Sequence, residues 1–352
     1  MKIHRRKFLA ITGLSLTGWL SGCARTQPLR ARKLENWDLR SGQTITTQSL
    51  TLPEADWEAL NSSDHGFLLA SGASVLALAP DGRWHLYQGP HEALWVRPDL
   101  LVTGQSPSST VFRLRAEEFP GGKQRWQQER NHGFLLGFNQ DSVFVGHDQG
   151  VSCLSLDSGR ELWKNSDLLE LKSAFVEPSS LVLGLGNEGK IEWVDLKTGR
   201  LQRSLSTNKN FNRVVMLVGD DKMTAAFTRH MGLAGYPAGS SSPAWSQSID
   251  NTDRSRLLGF SQGIALVEIY DSMVAVDIAS GRNLWATSLA PRPSISQGVV
   301  LVARGSGLGA GELRLELEGL ALSSGTSLWK RQLDDLTAVT AANGDKFAVL
   351  RA

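Results

Sequence analysis

Three features of this sequence predict an all-β chain folded as an eight-bladed β-propeller of four-stranded blades. A turn glycine recurs at intervals of about forty residues. Apolar strands lead into these glycines, and a tryptophan follows several of them at a fixed distance. A second series of apolar runs is offset from the first, so that the two ends of the chain each hold half of one sheet.

The register glycines are Gly42, Gly82, Gly122, Gly159, Gly199, Gly239, Gly281 and Gly325, at intervals of 40, 40, 37, 40, 40, 42 and 44 residues. Self-similarity at a fixed period of this size marks a repeat architecture. Ser or Thr precedes the glycine at Ser41, Ser158, Thr198, Ser280 and Ser324. An Asp stands four residues before it at Asp38, Asp195 and Asp277, and a Trp four residues after it at Trp126, Trp163, Trp285 and Trp329. The copies at Gly82 and Gly239 are degenerate and follow from spacing alone.

Each part of the motif has a mechanical reason. The run before the Asp, such as Ile191–Val194 or Met273–Val276, is a Val/Ile/Leu-type strand. Asp and Ser/Thr side chains bond back to turn amides, and Gly supplies positive φ at little steric cost. The following strand carries the Trp, whose burial removes about 150–250 Å² from water. One Trp per repeat is therefore expected to cover the seam between neighbouring sheets. A lone hairpin cannot bury both faces, so the unit needs neighbours.

The second series lies upstream of each hairpin: Phe67–Ala70, Leu100–Thr103, Val143–Gly146, Leu181–Leu185, Met223–Phe227, Ile264–Glu268 and Val299–Ala303. An eighth run, Lys346–Leu350, has no hairpin after it, and the hairpin at Gly42 has no such run before it. Pairing the C-terminal strands with the N-terminal hairpin closes a ring and removes its open edges. If the copy at Gly42 is accidental, the count is seven.

Residues 1–22 read as a signal peptide, with a basic start, a short apolar run from Phe8 to Leu20 and small residues before a cysteine. "RRKFL", with Arg5, Arg6, Phe8 and Leu9, is similar to a twin-arginine export signal, although His4 and Ala10 depart from it; general secretion is the alternative. "LSGC" (Leu20–Cys23) resembles the lipobox of bacterial lipoproteins, which implies acylation of Cys23. Residues 23–36 then form a lipid anchor and basic tether, and residues 37–352 the propeller. Arg25, Arg30, Arg32 and Lys33 of this tether are expected either to rest against anionic head groups, at roughly 1 kcal/mol per charge near the surface, or to belong to a solvated linker. The chain's formal charge is +2, and removing the four cationic residues of the signal leaves −2, a poor match for nucleic acid. Only one further cysteine exists, Cys153, so no disulfide is expected and Cys153 reads as a small buried hydrophobe.

The motif of apolar strand, Asp, two residues, Ser/Thr-Gly-Arg/Lys and a following Trp resembles the PQQ-like repeat of quinoprotein-type propellers. It is best formed at Gly159, Gly281 and Gly325, and the copy at Gly199 has Arg203 in the Trp position. With a lipid anchor, the architecture is also similar to the scaffold lipoproteins of the outer-membrane β-barrel assembly machinery. That resemblance implies envelope-protein partners, a membrane contact through Cys23 and, because Ala24 is not the Asp that retains enteric lipoproteins at the inner membrane, the periplasmic side of the outer membrane in a diderm organism. Its basis is architecture and anchoring, with no residue motif carried over.

Candidate chemistry is sparse. "GLGNEG" (Gly184–Gly189) satisfies G-x-G-x-x-G, but a strand-like "KIEWVDL" follows where a dinucleotide site needs a helix. Quinoprotein dehydrogenases usually add Ca²⁺-binding acids, a catalytic Asp and often a vicinal disulfide; this chain is shorter and has no adjacent cysteines. The recurrent acids Asp195 and Asp277 fall at turn positions. The seven histidines show no metal-binding spacing. The expectation is therefore a non-catalytic protein-binding module without cofactor or metal. A quinone-dependent or other cofactor-using oxidoreductase and a propeller binding glycans or small molecules are the alternatives. Partner contacts are expected from loops that depart from the repeat: "STNKNFNR" (Ser206–Arg213), "NTDRSR" (Asn251–Arg256) and "RGSGLGAGELR" (Arg304–Arg314).

Overall fold

The computed structural model describes residues 29–53, 58–60, 68–71, 74–78, 84–88, 93–97, 99–119, 121–185, 189–206, 214–220, 222–228, 232–249, 255–290, 293–308, 312–333, 339–343 and 346–351. The export-signal residues Arg5, Arg6, Phe8 and Leu9, the lipobox and Cys23 lie outside them, as do Gly82 and parts of the three loops singled out above.

Eight antiparallel four-stranded sheets make up the described fold. Seven are consecutive in sequence: blade two spans residues 58–88, blade three 93–131, blade four 134–165, blade five 171–206, blade six 214–247, blade seven 256–288 and blade eight 294–333. Blade one is composite. Its order is Val339–Asn343, Lys346–Arg351, Leu29–Asp38 and Thr44–Pro53, with Leu34 opposite Leu350 and Trp37 opposite Phe347. The ring is thus closed by strands from the two ends of the chain. First strands of successive blades touch from blade four through blades eight and one to blade two, which places them innermost.

The second and third strands explain why the sequence reads as continuous apolar runs. In blade four, Ser142–His147 and Gly150–Ser155 are buried along nearly their whole length, as strands covered on both faces must be. Val143, Val145 and Leu154 pack with Leu100, Leu114 and Trp126 of blade three. Phe144, Val151 and Cys153 face the other way, onto Leu181, Leu183 and Val194 of blade five. Each hydrophobic cluster therefore straddles a seam, and a blade's core is half its neighbour's.

One boundary differs from expectation. Residues 29–36, assigned to the tether, belong to the first strand of the fold, where they pair with Thr46–Pro53. Arg32 and Glu35 are buried within that strand, beside Leu34. These charges interrupt the apolar alternation, so the segment has the composition of a linker and the packing of a strand.

Candidate functional site

The glycine turns share one geometry. At Asp195, one carboxylate oxygen accepts from the backbone N–H groups of Lys197 and Thr198 and from the Thr198 hydroxyl, while the other accepts from Gln202 Nε2. Asp38 caps Arg40 and Ser41 in the same way, and Asp277 caps Ala279 and Ser280. The Thr198 and Ser41 hydroxyls, followed by the turn amides, hold the Asp195 and Asp38 carboxyls below the ordinary carboxylate value. Gly42, Gly159, Gly199, Gly281 and Gly325 all have φ between 63 and 72°, the left-handed region in which a side chain is strained. Each donates its N–H to the carbonyl four residues back.

That turn is where the next blade is gripped. Trp126 Nε1 donates to the Leu156 carbonyl (2.6 Å), Trp163 to Leu196 (2.8 Å), Trp285 to Leu322 (2.6 Å) and Trp329 to Leu39 (2.8 Å). The indole lies flat on the turn glycine of the following blade. A Cβ added at Gly159, Gly199, Gly325 or Gly42 would fall within 2.4–2.7 Å of that ring. Glycine is required here twice over, by φ and by the approaching ring. The cross-strand partner beneath each indole is small: Ala116 under Trp126, Cys153 under Trp163, Ala275 under Trp285 and Gly319 under Trp329. Cys153 is accordingly buried, and desolvation pushes its thiol up to about 11, leaving it a packing residue.

Several seam residues carry no obvious sequence mark. Trp245 performs the same task, donating to the Ile278 carbonyl (2.8 Å) and lying on Gly281. It stands six residues after Gly239 instead of four. In blade five the sizes are exchanged. Trp193 occupies the third strand, so its partner Arg203 replaces the indole, lies 4.1 Å over the Trp193 ring and donates to the Ser240 carbonyl of blade six. A second latch sits two residues beyond the Trp. Asn165 Nδ2 donates to Gly199 O (2.7 Å), Arg331 Nε to Gly42 O (3.2 Å), and Gln247 Nε2 to Gly281 O.

A partly buried polar string lies in the seam between blades three and four. Gln149 N–H donates to His147 Nδ1, which leaves Nε2 to donate to Ser152 Oγ (2.9 Å). Ser152 donates to Glu161 (3.0 Å), and Glu161 also accepts from Arg130 of blade three (3.2 Å). Ser152 gives its proton to a carboxylate and receives one from histidine, the reverse of an activated nucleophile. Burial, then the charges of Lys164 and Arg130, hold the His147 imidazole below its ordinary 6.5, while Asp148 and Glu161 pull more weakly upward. The folded seam thus favours neutral histidine. Its stabilisation is complete above about pH 6.5, where the unfolded chain is also neutral, and is lost as pH falls toward the lower folded value. Thermal unfolding from pH 7.5 to 5.5 is expected to show a smaller drop in Tm for His147→Gln than for the wild type; parallel curves would contradict this role.

The predicted loop sites fall as follows. The second and third strands of blade eight, Val299–Leu308 and Glu312–Ala321, are ten residues each and paired throughout, whereas their counterparts in blades four to seven are six. The segment Arg304–Arg314, expected to be a partner-contacting loop, is mostly a projecting two-stranded ribbon. The first strand, Ser294–Ser296, pairs only with Val299–Leu301. Gly184 and Leu185 end one strand and Lys190 begins the next, so "GLGNEG" bridges two strands. Among the described residues, no group of three His, Cys, Asp or Glu side chains is placed to hold a metal ion.

Comparison with solved structures gives the same architecture. BamB from Moraxella catarrhalis superposes with a TM-score of 0.55 at 16% identity, covering 85% of this chain and 97% of its own. The chain is a β-propeller. Apo AztD from Citrobacter koseri matches with a TM-score of 0.56 at 11% identity over 92% of this chain and 99% of its own. The C-terminal WD40 domain of Sif2 matches at 0.55 and 11% over 84% and 96%. No family model matches the sequence, and no curated protein does.

Proposed function

We propose that the protein is a lipid-anchored, extracytoplasmic scaffold of the bacterial envelope that binds other proteins and catalyses no reaction, with a role like that of BamB in outer-membrane protein assembly. The observation that carries this reading is the use to which the repeated chemical groups are put. Both Asp195 oxygens are engaged by turn donors, and the indole N–H groups are spent on carbonyls of the next blade. What remains for function is what departs from the repeat, namely the loops and the blade-eight ribbon. The signal-like N-terminus and Cys23 supply the export and the anchor, and the PQQ-like character of the repeat belongs to the same reading.

A quinone site does not fit these residues. Such a cofactor needs a Ca²⁺-binding acid cluster, whereas Asp38, Asp195 and Asp277 stand on separate blades, each folded back on its own turn. Titration of the purified protein with pyrroloquinoline quinone and Ca²⁺ is expected to give no stoichiometric uptake. One-to-one binding with reduction of an electron-accepting dye would overturn the reading.

A further inference from the structure

The topology assigns the side of the ring that meets the membrane. Antiparallel order puts the turn between first and second strands and the glycine turn between third and fourth on one face. Connections between second and third strands, and between blades, lie on the other. Leu29 begins a third strand beside Arg351, the end of a second strand, so Leu29 lies on this other face. Two ribbons project there from adjacent blades. In blade one, Leu29–Arg32 runs on against Leu50–Pro53 past the last pair with Arg351, at Lys33. In blade eight, the long hairpin adds four residues per strand to the usual six. Either extension is about 13 Å at 3.3 Å per residue. The blades are joined by Trp329 and Leu39.

Resting on the lipid-anchor reading, we propose that this ribbon-bearing face is held against a phospholipid surface, with blades eight and one nearest to it, and that the glycine-turn face points away. Cys23 precedes Leu29 by six positions, and six residues reach at most about 22 Å. That reach is comparable to the depth of the ring, about 20 Å for six-residue strands. Leu29, however, opens a ten-residue strand that ends at the Asp38 turn, about 33 Å away at 3.3 Å per residue, so six residues before it cannot bring the glycine-turn face to the bilayer. Arg25 and Arg30 flank Leu29 in the sequence, and Lys33 is exposed on the strand that begins there. Across the ring the same face exposes Asp148, Asp167 and Glu170, which anionic lipid repels. The ring therefore tilts toward its ribbons. Leu169 and Tyr270, both exposed, are also on this face, whereas the glycine turns of the other face carry the capped acids.

The test uses the acylated full chain in a Cys153→Ser background, reconstituted in anionic vesicles containing headgroup-nitroxide lipid. A fluorophore is attached at Ser306→Cys on the ribbon, Asp148→Cys across the same face, or Lys197→Cys in a glycine turn. Quenching is expected to fall in that order, at least threefold from the first to the last. Quenching at Lys197→Cys equal to or above that at Ser306→Cys, with the chain still vesicle-bound, would overturn the orientation and leave the anchor standing. The anchor is tested separately in cells, where Cys23→Ala is expected to move the chain from the membrane to the soluble fraction. Retention of that variant on the membrane would overturn the lipid-anchor reading.

Discussion

Gly199→Ala is expected to destabilise the fold by about 2–4 kcal/mol, whereas Gly122→Ala costs about 1 kcal/mol. The two glycines have nearly the same backbone, with φ of 68° and 71°, so the strain of placing an L-residue there is common to both. Their surroundings differ. A Cβ at Gly199 would lie 2.4 Å from the Trp163 ring, while one at Gly122 would meet nothing within 4 Å. Trp163 cannot step aside cheaply, because its Nε1 is bonded to Leu196 and its ring lies beside Phe144 at 6.0 Å. The excess cost therefore measures the indole–glycine contact that joins blades four and five. Urea unfolding of both variants checks it, and equal losses would mean that the contact contributes nothing.

Trp329→Ala is expected to cost about 4 kcal/mol, the scale of removing a large buried aromatic side chain. Trp329 joins blade eight to a turn 290 residues away through the Leu39 carbonyl. Its ring also stacks on Phe347 at 5.3 Å and 5°, and Phe347 touches Trp37 at 5.5 Å. Removing the indole thus loosens both the seam and the pairing that closes the ring. Trp329→Phe keeps most of the apolar area but strips the Leu39 carbonyl of its donor, at about 1–3 kcal/mol. Hydrogen exchange is the informative readout. Amides of Leu29–Asp38 and Lys346–Arg351 should lose protection in Trp329→Ala more than those of blade five. Uniform loss across the ring would assign Trp329 an ordinary packing role.

The strands most legible in the sequence are those whose environment is uniform. Second and third strands such as Leu181–Leu185 and Ile191–Val194 are covered on both faces, and the turn after them has fixed chemistry. The innermost strands left no comparable signal. Phe134–Phe138 and Ser294–Ser296 are short and partly exposed at most positions. Register shifts at Leu135/Gly137 and Leu257/Gly259 break the alternation that a strand ordinarily displays. Trp245 was hidden by a longer turn through Ser240 and Pro243. Arg203 was visible as a departure from the motif, but its pairing with Trp193 becomes meaningful only once the register is known. The latch residues Asn165, Gln247 and Arg331 differ in type and share only their spacing, two residues after a Trp. Arg32 and Glu35 concealed a strand because burial of charge cannot be read from composition.

We propose that this chain is a scaffold whose recurrent motif is construction and whose function lies in its loops. Crosslinking of the native full chain in its own membrane, followed by mass spectrometry, tests that most directly. The predicted result is a stoichiometric envelope-protein partner joined through propeller loops and lost in Cys23→Ala. Recovery of the chain alone, from membranes in which it is fully anchored, would contradict it.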